Sequence, residues 1–278
     1  MAGTAWSLGS TVPLRGGGEI PLLGLGVYQS RPGAETRNAV RAALEAGYRH
    51  VDTARVYGNE RDVGAGIADS GVPGREVFVT TKLWNADHGY DAALRACDQS
   101  LARLGTDRLD LYLVHWPVER VRKDTWRAME RLRAEGKARA IGVSNYTVRH
   151  LEELLAAASE PPAVNQVEFH PFLFQRELLA FCERHGIRLE GYAPLVKGQR
   201  MEHPVVAGIA REHARTPAQV LVRWSLQHGV ITIPKSVHPE RIRENADVFS
   251  LALSAADMRA LDGLDEGLRT SWDPTDVA

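Results

Sequence analysis

Residues 109–145, LDLYLVHWPVERVRKDTWRAMERLRAEGKARAIGVSN, contain the unit that decides the fold. The unit begins with an apolar strand pattern over 109–115 and continues with an amphipathic helical pattern over 124–136. Gly136 closes that helical pattern, as a C-terminal cap would, and a second strand pattern follows over 140–145. A strand, a helix and another strand in succession are typical of a parallel sheet covered by helices. This stretch therefore predicts an α/β protein.

The same alternation recurs along the rest of the chain. Strand patterns are expected at GLGVY (24–28), YRHVDT (48–53), VFVTT (77–81), AVNQVEF (163–169), RLEGYA (188–193) and VITIPK (230–235), which makes eight with the two above. Helical patterns over 35–47, 90–105, 148–159, 175–186 and 217–229 fall between them. Eight such units predict a (β/α)8 TIM barrel. An N-terminal β-hairpin over 11–26 and two extra helices over 204–214 and 254–264 complete the prediction.

A doubly wound open sheet is the main alternative, because it uses the same alternation. The first strand-to-helix turn reads GLGVYQSRPGAE (24–35), and it lacks the GxGxxG spacing that places a pyrophosphate on a helix N-terminus. The length of 278 residues is compatible with one barrel domain over 1–278. We therefore favour the barrel.

Composition limits the classes of partner. The formal net charge is −1, which gives no long-range field to hold nucleic acid or anionic lipid. Cys97 and Cys182 lie in separate helical patterns without metal-ligand spacing, so buried thiols are expected. The first residues show no basic region followed by an apolar one, and no apolar run approaches ~18 residues. A cytoplasmic, monomeric protein with small-molecule partners, and with no nucleic acid or membrane, is expected.

Four polar residues follow three of the apolar strand patterns: Asp52 and Tyr57 in HVDTARVYGNE, Lys82 in TTKLWN, and His115 in LYLVHWP. Each alone has a simpler interpretation, such as a turn carboxylate, a loop aromatic, a surface amine or a core imidazole. Together they stand at the same end of three consecutive strands, where barrels of this type carry their active sites. These residues bring together a carboxylate, a phenol, an ammonium and an imidazole. Such a group can deliver a proton to a reacting oxygen, which indicates a reductase.

Several ordered segments then resemble those of the aldo-keto reductases. They are GYRHVDTARVYGNE (47–60), TTKLWN (80–85), DRLDLYLVHWP (107–117), IGVSNY (141–146), NQVEFHP (165–171) and IPKSVHPERIRENADVF (233–249). TKLWN, the compact loop after His115 and the short tail resemble the bacterial 2,5-diketo-D-gluconate reductase-like branch. The resemblance implies a barrel that binds an extended nicotinamide cofactor without a Rossmann motif, and a catalytic tetrad at Asp52, Tyr57, Lys82 and His115.

The chemistry of carbonyl reduction is consistent with this tetrad. A hydride transferred to a carbonyl leaves negative charge on oxygen, and Tyr57 would be the acid that quenches it. Lys82 would lower the pKa of the phenol from its free value near ~10, and Asp52 would keep Lys82 charged. His115 would hydrogen-bond the carbonyl oxygen and orient it.

Cofactor contacts carry over from the same resemblance. Ser144, Asn145 and Gln166 would bind the nicotinamide carboxamide, and Tyr192 would stack on its ring. Without the resemblance, ordinary barrel packing would explain Tyr192 equally well. The loop after Tyr192, with Leu195 and Gly198, would cover the pyrophosphate. The remaining contacts are expected near the adenosine 2′-phosphate (Lys235, Ser236 and Arg241) and the adenine (Glu244 and Asn245), and Val237 is expected to contact the cofactor as well. This basic cluster favours NADPH (NADP+) over NADH, and no metal is implied.

The substrate pocket is expected to have aromatic and apolar walls. The expected wall residues are Val27, Tyr28, Trp84, Trp116 and Trp272. Such walls imply a partly apolar carbonyl compound, although the same tryptophans could simply cap the barrel. Two alternative functions remain open: an aldolase that uses Lys82 as a Schiff-base nucleophile, and a non-catalytic cofactor-binding barrel.

Overall fold

The N-terminal part of the chain forms a hairpin in the computed structural model, which describes residues 6–277. Strands β1 (Thr11–Pro13) and β2 (Glu19–Pro21) pair antiparallel, as expected. The turn between them contains Gly16, Gly17 and Gly18, with φ of 83°, 102° and 84°. Three successive residues in the left-handed region favour glycine, because other side chains are strained there. The glycine run thus allows the chain to reverse here.

Eight parallel strands follow and form one sheet in which each strand pairs with the next along the chain. Their bounds are β3 (Leu25–Gly26), β4 (His50–Asp52), β5 (Phe78–Leu83), β6 (Leu109–Val114), β7 (Ala138–Ser144), β8 (Val164–Glu168), β9 (Arg188–Tyr192) and β10 (Ile231–Thr232). All eight lie where strand patterns were expected. The α/β class predicted from the sequence is confirmed.

The sheet curls until its first and last strands meet. Backbone hydrogen bonds join Gly24 N to Thr232 O at 3.0 Å, Thr232 N to Leu22 O at 2.9 Å and Gly26 N to Pro234 O at 3.2 Å. Gly26 is needed at this junction, because a Cβ there would lie 2.9 Å from the carbonyl oxygen of Ile233. The GLG sequence at the start of β3 therefore permits the close approach of two backbones.

Ten helices are described between and after the strands. Their bounds are α1 (Ala34–Glu45), α2 (Glu60–Asp69), α3 (Tyr90–Leu104), α4 (Arg122–Ala134), α5 (Val148–Leu155), α6 (Arg176–His185), α7 (Pro204–Glu212), α8 (Pro217–Gln227), α9 (Pro239–Ala246) and α10 (Ala255–Asp262). Helices α7 and α10 are the two that were expected in addition to one helix per strand. Both cysteines are buried and free, as expected.

Helix α2 was not among the expected helices, because Gly64 and Gly66 weaken its pattern. Both glycines have a packing reason. A Cβ at Gly64 would lie 2.2 Å from the carbonyl oxygen of Leu104, and one at Gly66 would lie 2.7 Å from that of Arg37. The two residues let α2 pack closely against its neighbours, a need that depends on tertiary structure.

The apolar core has two parts. The larger lies between the sheet and the helices and includes Tyr112, Trp126 and Trp224. The smaller contains no helix residue and joins Leu14 and Ile20 of the hairpin to Leu111 and Leu113 of β6. The hairpin therefore packs against part of the sheet face that is turned away from the helices. No helix between residues 6 and 277 is long and apolar enough to cross a membrane. A single domain over 1–278 stays a prediction, and its residues 1–5 and 278 lie outside the described part.

Candidate active site

The four polar strand-end residues come together at the carboxyl edge of the sheet. Asp52 ends β4, Lys82 lies in β5, His115 follows β6, and Tyr57 lies in a short 3₁₀ turn after β4. The Lys82 Nζ lies 2.6 Å from Asp52 Oδ1 and 5.2 Å from the centroid of the Tyr57 ring. The Tyr57 and His115 ring centroids are 5.9 Å apart. Parallel strands end at one edge, so residues distant in sequence meet there.

Lys82 and Asp52 form a buried ion pair behind Tyr57. Their side chains are 0% and 3% exposed, and Lys82 Nζ also donates to the carbonyl oxygen of Thr53 at 2.9 Å. Burial raises the pKa of Asp52, while the hydrogen bonds from Lys82 and Gln166 oppose that rise. An ammonium without a partner would be costly at this depth, so Asp52 supplies the compensating charge.

The phenol of Tyr57 differs from the sequence-based expectation. Its pKa is raised well above the ordinary value. Burial is the main cause, and electrostatic repulsion from the acidic groups of Asp52, Tyr28 and Glu190 adds to it. The expectation of a lowered pKa for Tyr57 is therefore wrong for this arrangement. The physical reason is that desolvation, reinforced by the nearby Asp52 carboxylate, penalises the phenolate more than the Lys82 ammonium stabilises it. Tyr57 consequently holds its proton across the neutral pH range.

His115 is a neutral imidazole at the same edge. Burial lowers its pKa well below the ordinary value, and Lys82 and His88 add to the effect. Its Nδ1 has no hydrogen-bond partner among residues 6–277. The Trp84 ring lies 5.5 Å from it, centroid to centroid, and restricts its orientation. A neutral ring at this place can donate one hydrogen bond to a carbonyl oxygen without carrying charge.

An amide and hydroxyl network lies beside the tetrad. Asn145 adopts φ of 64°, and its Nδ2 donates to the carbonyl oxygen of His115 at 3.1 Å and to Ser144 Oγ at 3.0 Å. The Tyr192 hydroxyl donates to Asn145 Oδ1 at 2.9 Å, and Ser144 Oγ donates to the backbone oxygen of Gln166 at 2.8 Å. Left-handed backbone at a residue other than glycine is a form of strain that often marks functional sites. The network holds polar atoms at the cavity wall.

A cavity of about 1210 Å³ opens above these residues and extends to helix α9. Of the tetrad, Asp52, Tyr57 and His115 line it, while Lys82 does not. All the residues expected at the cofactor line it: Ser144, Asn145, Gln166, Tyr192, Leu195, Gly198, Lys235, Ser236, Val237, Arg241, Glu244 and Asn245. The structure thus gathers around one cavity residues that the sequence separates by about a hundred positions.

The far end of the cavity carries positive charge. Lys235 and Arg241 are exposed, and neither forms an ion pair or hydrogen bond within the described part of the chain. Helix α9 begins at Pro239, and its N-terminus faces the same end, which adds a favourable partial charge for an anion. Amide groups at one end and unpaired cations at the other fit a long ligand with a carboxamide and a phosphate, as a nicotinamide cofactor has.

Four of the five residues expected at the substrate wall are present there. Tyr28, Trp84, Trp116 and Trp272 line the cavity, and the Trp272 ring lies 6.3 Å from Trp84 and 6.0 Å from Trp116. Val27 does not, because its side chain is fully buried in the core. Successive strand residues point to opposite faces, so Gly26 faces the cavity and Val27 faces the helices.

Other residues of the site were missed from the sequence. Glu190 and His50 lie fully buried beneath the tetrad, and Glu190 accepts a hydrogen bond from Gln166. A glutamate inside the apolar strand pattern RLEGYA was the available signal for the first of them. Arg269, Thr270 and Ser271 of the tail line the cavity too, but nothing in the local sequence indicates that.

The tail is held over the site by Glu168, at the end of β8. Its carboxylate accepts from Thr270 N at 2.8 Å, from Ser271 N at 3.1 Å and from His170 Nε2 at 3.2 Å. Lys197 of the loop after β9 donates to the carbonyl oxygen of Thr270 at 2.5 Å. The tail and this loop are therefore linked across the cavity. Among the residues described, no group of three or more His, Cys, Asp or Glu side chains could hold a metal ion.

Comparison with known proteins gives consistent relatives over nearly the whole chain. The model of a family described as the aldo/keto reductase family matches residues 23–266. A glyoxal reductase of Bacillus subtilis (strain 168) is 51% identical over 271 residues, which cover 98% of each chain. The morphine 6-dehydrogenase of Pseudomonas putida is 47% identical over 281 residues, covering 96% of this chain and 95% of its own.

Solved structures agree with these relatives. The crystal structure of an aldo-keto reductase enzyme from a Medee basin deep-sea metagenome library superposes with a TM-score of 0.93 at 44% identity. The match covers 96% of this chain and 99% of that one. Sequence and backbone therefore indicate the same family.

Proposed function

The chain belongs to the aldo/keto reductase family, and on that premise we propose that it is an NADPH-dependent oxidoreductase that reduces aldehydes and ketones to alcohols. The observation that carries the proposal is the convergence of Tyr57 and His115 on one cavity, with the Lys82–Asp52 pair behind them. We also take the curled sheet to be the closed (β/α)8 barrel expected from the sequence. The backbone hydrogen bonds between its first and last strands support that interpretation.

Bound NADPH would supply the hydride for this reaction. Tyr57 donates its phenolic proton to the carbonyl oxygen as negative charge develops there. The raised pKa keeps Tyr57 protonated at neutral pH, which a proton donor requires, but it also makes the phenol a weaker acid, so the phenolate needs stabilisation as the proton leaves. Lys82, 5.2 Å from the ring centroid, then stabilises the phenolate that remains. Proton uptake from the open cavity restores the phenol.

His115 and Asp52 have supporting roles in this scheme. The neutral imidazole donates a hydrogen bond to the carbonyl oxygen and so sets the angle at which the substrate lies. Asp52 holds Lys82 beneath the Tyr57 ring by the 2.6 Å ion pair. Removing Asp52 would leave a buried ammonium without its partner, at a large cost.

The cofactor contacts follow the order of the cavity wall. Ser144, Asn145 and Gln166 are proposed to bind the carboxamide, and Tyr192 to pack against the nicotinamide ring. Lys235, Ser236 and Arg241 are proposed to bind the 2′-phosphate. Lys235 and Arg241 have no ion-pair partner among residues 6–277, which supports NADPH over NADH, because NADH has no charge at that position for them to compensate.

The aromatic residues at the cavity mouth support a broad range of carbonyl substrates. Trp272 is 65% exposed and Tyr28 is 47% exposed, so the entrance presents apolar surface to solvent. The relatives include a reductase named for glyoxal and a dehydrogenase named for morphine, which are carbonyl and alcohol compounds of very different size. Cytoplasmic location and a monomeric state stay predictions.

The aldolase alternative conflicts with the position of Lys82. Its side chain is fully buried and does not line the cavity, and its ammonium is held by two acceptors. A Schiff base needs a neutral amine that a carbonyl can reach, which this arrangement prevents. A non-catalytic barrel has no observation in its favour, since the tetrad is complete and three of its four members line the cavity.

Fluorescence titration with NADPH and with NADH, followed by a panel of aldehydes and ketones, tests the proposal. We expect tighter binding of NADPH and oxidation of the cofactor with several carbonyl compounds. Binding of NADPH without turnover across the panel would favour the non-catalytic alternative. Failure to bind either cofactor would overturn the proposal.

A further inference from the structure

A second carboxylate lies beneath the proposed site, and the mechanism above does not use it. Glu190 is in the middle of β9, and its side chain is fully buried. Its Oε2 accepts a hydrogen bond from Gln166 Nε2 at 2.9 Å, and its Oε1 lies 3.6 Å from His50 Nε2. A buried ionisable group is costly unless hydrogen bonds or a charge partner compensate it, and Gln166 supplies such a hydrogen bond. Gln166 is the neighbour that reaches the cavity.

The nitrogen of the Gln166 amide is held by two carboxyl groups. Besides its contact with Glu190, Nε2 lies 2.7 Å from Asp52 Oδ2. Only the nitrogen end can occupy this place, because the Asp52 carboxylate, which is paired with Lys82, would repel an amide oxygen at this distance. An amide nitrogen has two protons, and these two contacts use both. The only polar atom that Gln166 has left for the cavity is its oxygen.

We propose that Glu190 is a positioning residue that, together with Asp52, orients the Gln166 amide so that it offers only an acceptor to the bound ligand. The inference rests on the proposed function, in which that ligand carries a carboxamide. An acceptor at this place selects a ligand group with an N–H and disfavours a plain carbonyl in its stead. Glu190, a buried residue of the sheet, thus determines that Gln166 accepts a hydrogen bond from the ligand and does not donate one.

The charges around Glu190 are compatible with this role in either protonation state. His50 and Asp52 face it from β4 and Lys82 from β5, while its partner on β10, Ile231, has no charge. Burial and the nearby Asp52 raise the pKa of Glu190 to about 8. A protonated carboxyl group still has a carbonyl oxygen that can accept from Gln166. The orientation therefore persists on both sides of this pKa.

Binding of a cofactor analogue tests the proposal without relying on turnover. The reduced 3-acetylpyridine analogue of NADPH keeps the ring carbonyl and lacks the amide N–H. We expect the wild-type protein to bind NADPH about tenfold more tightly than the analogue, a ratio that corresponds to one hydrogen bond. Glu190→Gln keeps an acceptor oxygen and should retain the ratio. Glu190→Leu frees one N–H of Gln166, so the ratio should fall to about threefold or less.

Two further variants make the test specific. Glu190→Met repeats the loss of the acceptor with a more adaptable side chain, in case the leucine variant does not fold. Thr232→Val changes another buried polar side chain, on the neighbouring strand β10, and should leave the ratio unchanged. Dissociation constants come from fluorescence titration, with thermal unfolding as the check of folding.

The possible outcomes separate the two proposals. If the Leu and Met variants bind NADPH and the analogue more weakly by the same factor, Glu190 is only structural and the inference is overturned. A wild-type ratio near one would also overturn it. If the wild-type protein binds neither NADPH nor NADH, the proposed function itself fails.

Discussion

At the scale of single residues, the site depends on charges that are compensated out of reach of solvent. Lys82 is fully buried, yet its ammonium has Asp52 and a backbone oxygen as partners. Tyr57, by contrast, faces the cavity with its proton held by a raised pKa. The buried pair and the acid at the cavity wall therefore have different tasks, and a substitution at each should have a different effect.

Tyr57→Phe should remove turnover and leave cofactor binding almost intact. The ring and its packing against Tyr28, at 5.0 Å between centroids, are kept, while the only transferable proton is lost. General acid catalysis contributes about 10²–10⁴-fold, so kcat should fall by at least that factor. Steady-state kinetics measure the loss, and NADPH titration is the control. Loss of NADPH binding with kcat unchanged would contradict the assignment.

Glu190 should make stability depend on pH. Its pKa is raised to about 8 in the folded protein, against an ordinary value of 4.5. The folded state therefore binds more protons between these values, and the stabilisation, complete below 4.5, is lost as the pH rises towards 8. The slope is at most about 1.4 kcal/mol per pH unit. Urea unfolding at several pH values should show this slope, and Glu190→Gln should lack it; equal slopes would refute the assignment.

At the scale of elements, two junctions determine the shape of the site. One is the contact between β3 and the chain around β10, which brings the edges of the sheet together. The other is the contact of the C-terminal tail with Glu168 at the end of β8. Each junction joins segments more than 90 residues apart, so each can be tested by one substitution.

Gly26→Ala should destabilise the protein. The added Cβ would lie 2.9 Å from the carbonyl oxygen of Ile233, which belongs to the backbone and cannot rotate away. We expect a loss of about 1–3 kcal/mol in the free energy of unfolding, as for overpacked sites. Gly208→Ala is the matched control, because nothing lies within 4 Å of its Cβ position in α7. Denaturant unfolding compares the two, and equal stability would contradict the account of the junction.

Glu168→Gln should loosen the tail without disabling the chemistry. The carboxylate accepts from Thr270 and Ser271, and a neutral amide accepts these bonds more weakly. Trp272 would then leave its place beside Trp84 and Trp116, so KM for bulky carbonyl substrates should rise about three- to tenfold. The value of kcat should stay within about twofold. Kinetics with large and small substrates measure this, and an unchanged KM for both would refute the role of the tail.

At the scale of the whole molecule, one cavity connects the catalytic tetrad with a pair of cations that lie far from it in the sequence. The tetrad lies above β4 to β6, and the unpaired cations lie at the start of α9, after β10. Because the sheet curls, the last strand is adjacent to the first, and both groups face one cavity of about 1210 Å³. A single extended ligand can therefore contact both.

Arg241→Ala should weaken NADPH binding and leave NADH binding unchanged. Arg241 lines the cavity without an ion-pair partner in the described part of the chain, so a phosphate would be its main compensation. A charge-assisted hydrogen bond corresponds to about a 10–100-fold change in affinity. Arg243→Ala is the control, since Arg243 is exposed on the same helix and does not line the cavity. Equal losses in both variants would indicate general electrostatics instead.

Much of this arrangement could be predicted from local sequence. The eight strands, the hairpin and most helices were expected where they occur. The spacing of apolar residues, the glycines that end helices and the continuous apolar runs are all local properties of the sequence. The twelve expected cofactor residues line one cavity, since their motifs follow strand ends. Helix α2 was missed because its glycines serve contacts with Leu104 and Arg37, and Val27 was misplaced because a one-residue change of register reverses the face.

The amino-acid sequence by itself determined the α/β class, the order of strands and helices, the family resemblance and the four residues at the strand ends. Only the tertiary structure decided that Glu190 reaches Gln166, that Glu168 holds the tail, and that the pKa of Tyr57 is raised rather than lowered. The physical reason is distance. Periodicity and turn chemistry act between near neighbours in the chain, whereas desolvation, ion pairing and amide orientation depend on atoms that meet only when the sheet curls.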